Sequence, residues 1–530
     1  LGLLLVVFAL VSYGSTFVCQ RLAAQVSQGL GTCVRNAVYA HVNELSAADV
    51  DRIGTPSLLT RVTNDVNQVQ LAVALGIRTL TRWPLLALGS MMAAVSIDLR
   101  LGLVFLVCLP AITVVFALVM RASVPYYRSM QQRLDQVSLV VRENLAGMRV
   151  IRAFRQGRRE RERGHVAVQA QTDTAVAVGR LSALLGPATF VIMYAGVAAI
   201  LWVGGARVDA GDLTTGEVMA FVSYMTQTLV SISYVANLVV VLMRGQASSV
   251  RILEVLDCEP SLAEGGADGG AKGTATFVLP DATPALELRD ATFSYAPSSA
   301  PALAGVTLSL RPGGTLGIIG GTGSGKSTLA NLVPRLYDTT CGEVRVLGRD
   351  VRDYRFADLR RLVSIVPQRA TLASGTVRSN LLWRDPEATE ADLMRALEVA
   401  QAAGFVQALP EGLDASVEAG GTNFSGGQRQ RLTIARALVG NPAILVLDDA
   451  ASALDFATDA RLRKAIRTLG SDLAAVIISQ RVSAVRGADQ ILVLDHGAMA
   501  GLGTHEELLD GCALYRQICA SQLEEVDEDG

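Results

Sequence analysis

Five apolar runs, at about 1–20, 79–97, 100–121, 183–204 and 217–243, constrain this chain more than any other feature. A bilayer core about 30 Å thick takes about 20 apolar residues to cross as a helix, and the helix satisfies its own backbone polar groups on the way. Two connections between the runs are very short, IDLR (Ile97–Arg100) and VGGARVDAGDLTTGE (Val203–Glu217). Two others are long, residues 21–78 and 122–182. The second long connection contains RVIRAFRQGRRERER (Arg149–Arg163), whereas the short turns carry only Arg100 and Arg207. The positive-inside rule therefore puts the long connections in the cytoplasm and the short turns outside. Trp83 and Trp202 fall near segment ends, where interfacial indoles are common. An odd number of spans places Leu1 outside and the C-terminal part inside. Because Leu1 opens within an apolar run, one earlier span is expected ahead of it.

Half of the 530 residues are apolar and 18% are charged, a balance that soluble domains rarely have. A formal net charge of −2 excludes nucleic acid as the main partner. The seven cysteines (Cys19, Cys33, Cys108, Cys258, Cys341, Cys512 and Cys519) include no CxxC pair, so neither a disulfide framework nor a zinc site is expected. The apolar character stops near residue 255. PSLAEGGADGGAKGTATFVLP, from Pro260, has the small and polar residues of a flexible linker, and beyond residue 285 the pattern is that of a soluble α/β domain. The expected division is a transmembrane domain over 1–255, a linker over 256–284, a nucleotide-binding domain over 285–522 and a solvated acidic tail, LEEVDEDG, ending with 523–530.

In the second half, GIIGGTGSGKSTL from Gly317 contains G-x-x-x-x-G-K-S as Gly320 to Ser327, after an apolar strand and before a helical STLANLV. That context makes it a phosphate loop. Its glycines let backbone N–H groups close on phosphate oxygens, and the helix start adds its dipole. Gly320, Thr322, Gly323, Ser324, Gly325, Lys326, Ser327 and Thr328 are the candidate ATP-binding residues. Lys326 would reach the terminal phosphates, and Ser327 would ligate Mg²⁺. Only three lysines occur among the 47 Lys and Arg residues, so a lysine at this position is not what base composition supplies. AILVLDDA (Ala443–Ala450) brings a buried strand up to Asp448, the second magnesium group.

Between these motifs lies NFSGGQRQRL (Asn423–Leu432), and with it the chain resembles an ABC transporter of the exporter type over nearly its whole length. The resemblance implies an all-α transmembrane domain, with exporter-type helices extended far into the cytoplasm and the first helix missing, followed by an α/β P-loop ATPase domain. It also implies ATP and Mg²⁺ as cofactors, and a multi-pass protein of the cell (inner or plasma) membrane with its nucleotide-binding domain in the cytoplasm. FSGGQ is similar to the family signature, so Ser425, Gly426, Gly427 and Gln428 would contact the ATP held by an opposite subunit. Tyr295 in ATFSY matches the aromatic on which adenine stacks. Gln368 in SIVPQ matches the glutamine that senses the γ-phosphate and joins the metal and catalytic sets. Asp455, closing SALD (Ser452–Asp455), matches the loop that communicates across the dimer. TPSLLTRVTND (Thr55–Asp65), with Thr55–Pro56 as a cap and first turn, and ENLAGMRVIRAF (Glu143–Phe154) resemble the two cytoplasmic coupling segments.

Two positions depart from that pattern. The residue after Asp448 is usually glutamate, which positions the attacking water; Asp449 withdraws the carboxylate by about 1.5 Å. Displacement on that scale costs about a hundredfold in rate. In AAVIISQRVSAV, from Ala474, the usual switch histidine is Gln480, which donates a hydrogen bond but carries no imidazolium charge. A site with both changes is expected to bind MgATP and hydrolyse it slowly, while the intact signature serves a second half-transporter that retains glutamate and histidine. The alternatives are a homodimer with two slow sites and a channel-like or regulatory subunit gated by ATP. The expected surroundings are membrane lipid and a small or amphipathic substrate whose identity the sequence does not specify; there is no intramembrane carboxylate cluster to mark a cation pathway.

Overall fold

A computed structural model describes residues 2–265, 283–296, 299–450, 452–469 and 473–528. Most of the expected linker and the last two residues of the expected tail lie outside the described residues. The chain divides into two compact units, Leu1–His41 with Pro56–Asp257, and Val42–Thr55 with Cys258–Gly530.

The first unit is helical. Four helical stretches among the described residues, Gly2–Glu44, Thr55–Ile97, Leu99–Ala146 and Gly157–Asp209, are long and apolar enough to cross a membrane. The fifth apolar run lies within the 42-residue helix Thr215–Leu256. These helices far outrun a bilayer: at 1.5 Å per residue, the 48 residues of Leu99–Ala146 span about 72 Å. Most of both long connections is therefore helix, carrying on from the apolar runs.

The short turns are made by side-chain caps. Asp98, extended at φ −152°, accepts a hydrogen bond from the Leu101 N–H at 2.9 Å and starts the 48-residue helix. Thr214 and Glu217 form a reciprocal capping box at the start of Thr215–Leu256. Arg207 pairs with Asp98 and Asp212, tying the two turns together. Leu3, Leu5, Val107, Leu118 and Val191 are exposed on this unit. Inside, Leu101, Phe105, Ile200 and Phe221 are buried. Gly196 permits close helix packing there, because a Cβ on it would stand 2.9 Å from the Cys108 sulfur.

The second unit is built on a ten-stranded sheet. Its parallel part runs in the order Gln490–Asp495, Thr315–Gly320, Ala474–Ile478, Ile444–Asp448, Val363–Val366. Thr315–Gly320, Ile444–Asp448 and Ala474–Ile478 are buried along their whole length, which accounts for their unbroken apolar sequences. Antiparallel strands, among them Leu286–Phe293, Leu303–Leu310 and Cys341–Val346, complete the sheet. Helices including Glu390–Val399 and Gly426–Leu438 share one apolar core with strand residues such as Ile319, Leu445, Ile477 and Val493.

This unit also holds a helix from the first half of the sequence, Ala47–Ile53, capped by Ser46 through a capping box with Asp49. Asp49 accepts a hydrogen bond from the Ser261 N–H at 2.9 Å, and the Ser46 and Ser261 hydroxyls meet at 2.7 Å. Tyr337 donates to the Asp51 carboxylate at 2.5 Å, while Ala47 and Ala48 pack on the core beneath the sheet. Burial, then the Asp51 charge, pushes the Tyr337 phenol well above the usual tyrosine range. The segment packed with the ATPase core is thus Val42–Thr55, ahead of the expected Thr55–Asp65 stretch, which from Pro56 onward belongs to the membrane unit. A short helix does begin at Thr55 (Thr55–Thr60), and the separate helix ahead of it is capped by Ser46, whose hydroxyl reaches its third N–H. The second expected segment runs through the end of the Leu99–Ala146 helix and the short helix Met148–Ala153, within the membrane unit.

Candidate functional site

At the carboxyl ends of the parallel strands, where open α/β sheets hold their ligands, lies a cavity of about 350 Å³. The chain reaches it first at the end of Thr315–Gly320. A Cβ on Gly320 would lie 2.2 Å from the Leu494 carbonyl oxygen, so only glycine fits there. Gly323 (φ 79°) and Gly325 (φ 95°) turn the loop through left-handed conformations that other residues rarely adopt. Helix Lys326–Leu332 follows. Lys326 is buried, and its Nζ donates to the carbonyls of Gly320 at 2.9 Å and Gly321 at 2.6 Å. Burial lowers its pKa, opposed by Asp448 and Asp449.

Ser327 and Asp448, widely separated in sequence, meet across the sheet: the serine hydroxyl donates to Asp448 Oδ1 at 3.2 Å. Asp449 stands beside them at φ 45°, a left-handed conformation uncommon outside glycine. Its N–H donates to the Ile478 carbonyl at 3.0 Å, and its carboxylate accepts a 3.4 Å hydrogen bond from Gln368 Nε2. Burial raises both carboxyls. At Asp448 the Ser327 hydroxyl pulls back, the Asp449 charge pushes further up and Lys326 opposes. At Asp449, Gln368, Arg481 and Lys326 oppose. Tyr295, 58% exposed, donates to or accepts from the Thr328 hydroxyl at 3.1 Å, and its ring is met edge-on by Phe293 and Tyr337.

Tyr295, Thr322, Gly323, Ser324, Gly325, Lys326, Ser327, Thr328, Gln368, Asp448, Asp449 and Gln480 all line this cavity. Gly320 forms the base of the loop. Ser425, Gly426, Gly427 and Gln428 do not line it; they open the helix Gly426–Leu438, with Ser425 and Gln428 locked in a capping box. Gly427 lies against the SALD loop, a Cβ there standing 3.1 Å from the Ala453 carbonyl oxygen. Asp455 also lies outside the cavity and caps the helix Phe456–Arg467 through the Thr458 N–H at 2.9 Å. Ala302, Ile478 and Ser479 line the cavity without having been expected there. The last two had a signal, since they immediately precede Gln480; Ala302 had none.

The lining suits a nucleotide triphosphate with a hard divalent cation. The glycine loop leaves room that a side chain would fill, and the Ser327–Asp448 oxygen pair is the donor chemistry Mg²⁺ takes. A buried carboxyl with a raised pKa favours folding while neutral. That contribution is present below the ordinary carboxylate range and lost as pH rises through the raised value. Burial therefore makes the charged form of Asp448 costly in the metal-free protein. Asp448→Asn, which keeps an acceptor for Ser327, should raise the metal-free thermal midpoint by about 2–4 °C. The same variant should lose the Mg²⁺-dependent tightening of ATP. Scanning fluorimetry at pH 7 without Mg²⁺ checks this, and a lowered midpoint would contradict it.

Comparison with known proteins agrees with this architecture. The family "ABC transporter transmembrane region" matches residues 1–232, and the family "ABC transporter" matches residues 303–452. An uncharacterized ABC transporter ATP-binding protein of Mycobacterium tuberculosis is 39% identical over 504 residues, covering 94% of this chain and 85% of the relative. An ATP-dependent lipid A-core flippase of Chromobacterium violaceum is 32% identical over 516 residues, covering 97% of this chain and 86% of that protein. Among solved structures, a bacterial Atm1-family ABC exporter with ATP bound shares the fold, with a TM-score of 0.76 at 24% identity over 94% of this chain and 86% of that one. This chain belongs to the ABC transporter family, as an exporter-type, multi-pass membrane protein with a cytoplasmic ATPase domain.

Proposed function

We propose that the chain is one half of a heterodimeric ATP-driven exporter, whose own cavity holds MgATP and hydrolyses it slowly. One observation carries this: Asp449 and Gln480, the two residues that depart from the family pattern, line the same cavity as Ser327 and Asp448. The Asp449 carboxylate is drawn towards Gln368 and lacks the methylene that would extend it to a water beside the terminal phosphate. Tyr295 stacks the base, the Gly320–Ser327 loop and Lys326 hold the phosphates, and Ser327, Asp448 and Gln368 hold Mg²⁺. When bound, Mg²⁺ offsets phosphate charge as a Lewis acid. Ser425 to Gln428 present their helix start to the partner's nucleotide, with Asp455 beside that contact. An amphipathic cargo fits the company of relatives named as a lipid A-core flippase and a multidrug efflux protein.

The test is steady-state ATP hydrolysis by the full-length chain in lipid, alone and mixed with a half-transporter that retains glutamate and histidine. Activity confined to the mixture, and lost when the partner's glutamate is removed, is the expected result. Equal activity from the chain alone would replace the heterodimer with a homodimer of two working sites.

A further inference from the structure

The turn that carries Gln480 is held from two sides. Ahead of it, the Ser479 N–H donates to the Ile318 carbonyl at 3.1 Å, joining the turn to the phosphate-loop strand, and the Ser479 hydroxyl accepts from the Arg481 N–H at 3.0 Å. Around Gln480 itself the partner is a single distant side chain. Gln522 Nε2 donates to the Gln480 carbonyl at 2.7 Å, and Gln522 Oε1 accepts from the Val482 N–H at 2.8 Å. An amide has a donor end and an acceptor end on separate atoms, which lets Gln522 serve both groups at once, and asparagine is a methylene shorter. Gln522 belongs to the helix Ala513–Glu528, which is anchored in the apolar core by Tyr515 and Cys519, both buried. The brace therefore rests on a fixed support.

We propose that Gln522 is a positioning residue for nucleotide recognition. It fixes the backbone that follows Gln480, while the Ser479–Ile318 bond holds the backbone ahead of it, so that this side chain is presented to the terminal phosphate, and it makes the site's preference for ATP over ADP depend on the C-terminal helix. The proposal rests on the reading of Gln480 as the group that faces the γ-phosphate. Without the brace the turn samples more backbone states and the contact with the third phosphate weakens, while the contacts to the base and the inner phosphates stay.

The experiment measures equilibrium affinities of MgATP and MgADP for the full-length chain in lipid nanodiscs, for wild type, Gln522→Ala, Gln480→Ala and the double variant. Gln522→Ala should lower the ATP-over-ADP preference about five- to tenfold, the worth of one or two hydrogen bonds, with ADP affinity unchanged. Gln480→Ala should lower it as much, and the double variant no further, because one residue acts through the other. Gln522→Glu keeps the acceptor for Val482 but not the donor for Gln480; it should fall between wild type and alanine, and it takes over the test if the alanine variant does not fold. Equal losses of ATP and ADP affinity, additive effects or an unchanged preference in Gln522→Ala would overturn the proposal. An unchanged preference in Gln480→Ala would instead show that the reading of Gln480 had failed, and the proposal with it.

Discussion

A chain carrying Asp449→Glu together with Gln480→His should hydrolyse ATP at its own site about a hundredfold faster than wild type. The reasoning starts from placement. Asp449 is held at φ 45° by its N–H bond to Ile478 and by the Ser452 N–H and hydroxyl on its carbonyl, so the backbone is fixed by its surroundings and not by the side chain. Glutamate on the same backbone extends the carboxylate by about 1.5 Å, and restored placement of a catalytic group is worth about a hundredfold. Histidine at position 480 adds a cation where glutamine has only a dipole. Asp449→Glu alone should supply most of the gain, and Gln480→His alone little, because a charged switch cannot replace a misplaced base. Single-turnover hydrolysis, with the partner's own glutamate removed so that only this cavity can turn over, is the measurement. No gain in the double variant would mean that something other than these two side chains limits the site.

The second large effect lies at the signature. Gly427→Asp should abolish hydrolysis in the mixture with the partner, by at least about a hundredfold, the scale on which losing preorganised anion-binding groups acts. Its Cβ would stand 3.1 Å from the Ala453 carbonyl oxygen, tight enough to displace the helix start, and its carboxylate would oppose phosphate charge. MgATP affinity at this chain's own cavity should stay within about twofold, because Ser425 to Gln428 do not line it. An equal loss of binding in the chain's own cavity would show that the signature serves that cavity and would remove the reason for invoking a partner's site.

The parts of this molecule legible in the sequence are those written in local pattern. Glycine spacing marks the phosphate loop because the backbone must close where a Cβ cannot go, as at Gly320. An unbroken apolar strand ending in Asp448 marks a buried strand edge, since both faces of Ile444–Asp448 are covered. The apolar runs mark spans because lipid tolerates little else. Helix length was not legible from apolarity: beyond the apolar runs, Leu99–Ala146 and Thr215–Leu256 mix apolar residues with arginines and other polar residues, so their extent came only from the family resemblance. The Ala47–Ile53 helix did have a local signal, the Ser46-x-x-Asp49 capping box, but its place in the second unit depends on distant partners, Ser261 and Tyr337, that no local pattern announces. Gln522 escaped for the same reason, its two bonds reaching back to residues on another strand end.

The Ala47–Ile53 helix has a consequence for the order in which this protein is made. Its docking partners are translated well after it, Ser261 212 residues beyond Asp49 and Tyr337 286 residues beyond Asp51. At about 5–20 residues per second, the helix waits at least about 15–60 s on the ribosome side of the membrane before both partners exist. Through that interval Ala47 and Ala48 have no core to cover, and the Asp51 carboxylate meets water in place of a phenol. The ATPase body thus incorporates a piece of chain that has been there since early in synthesis, and that part of its core cannot be completed until both halves of the sequence have been made.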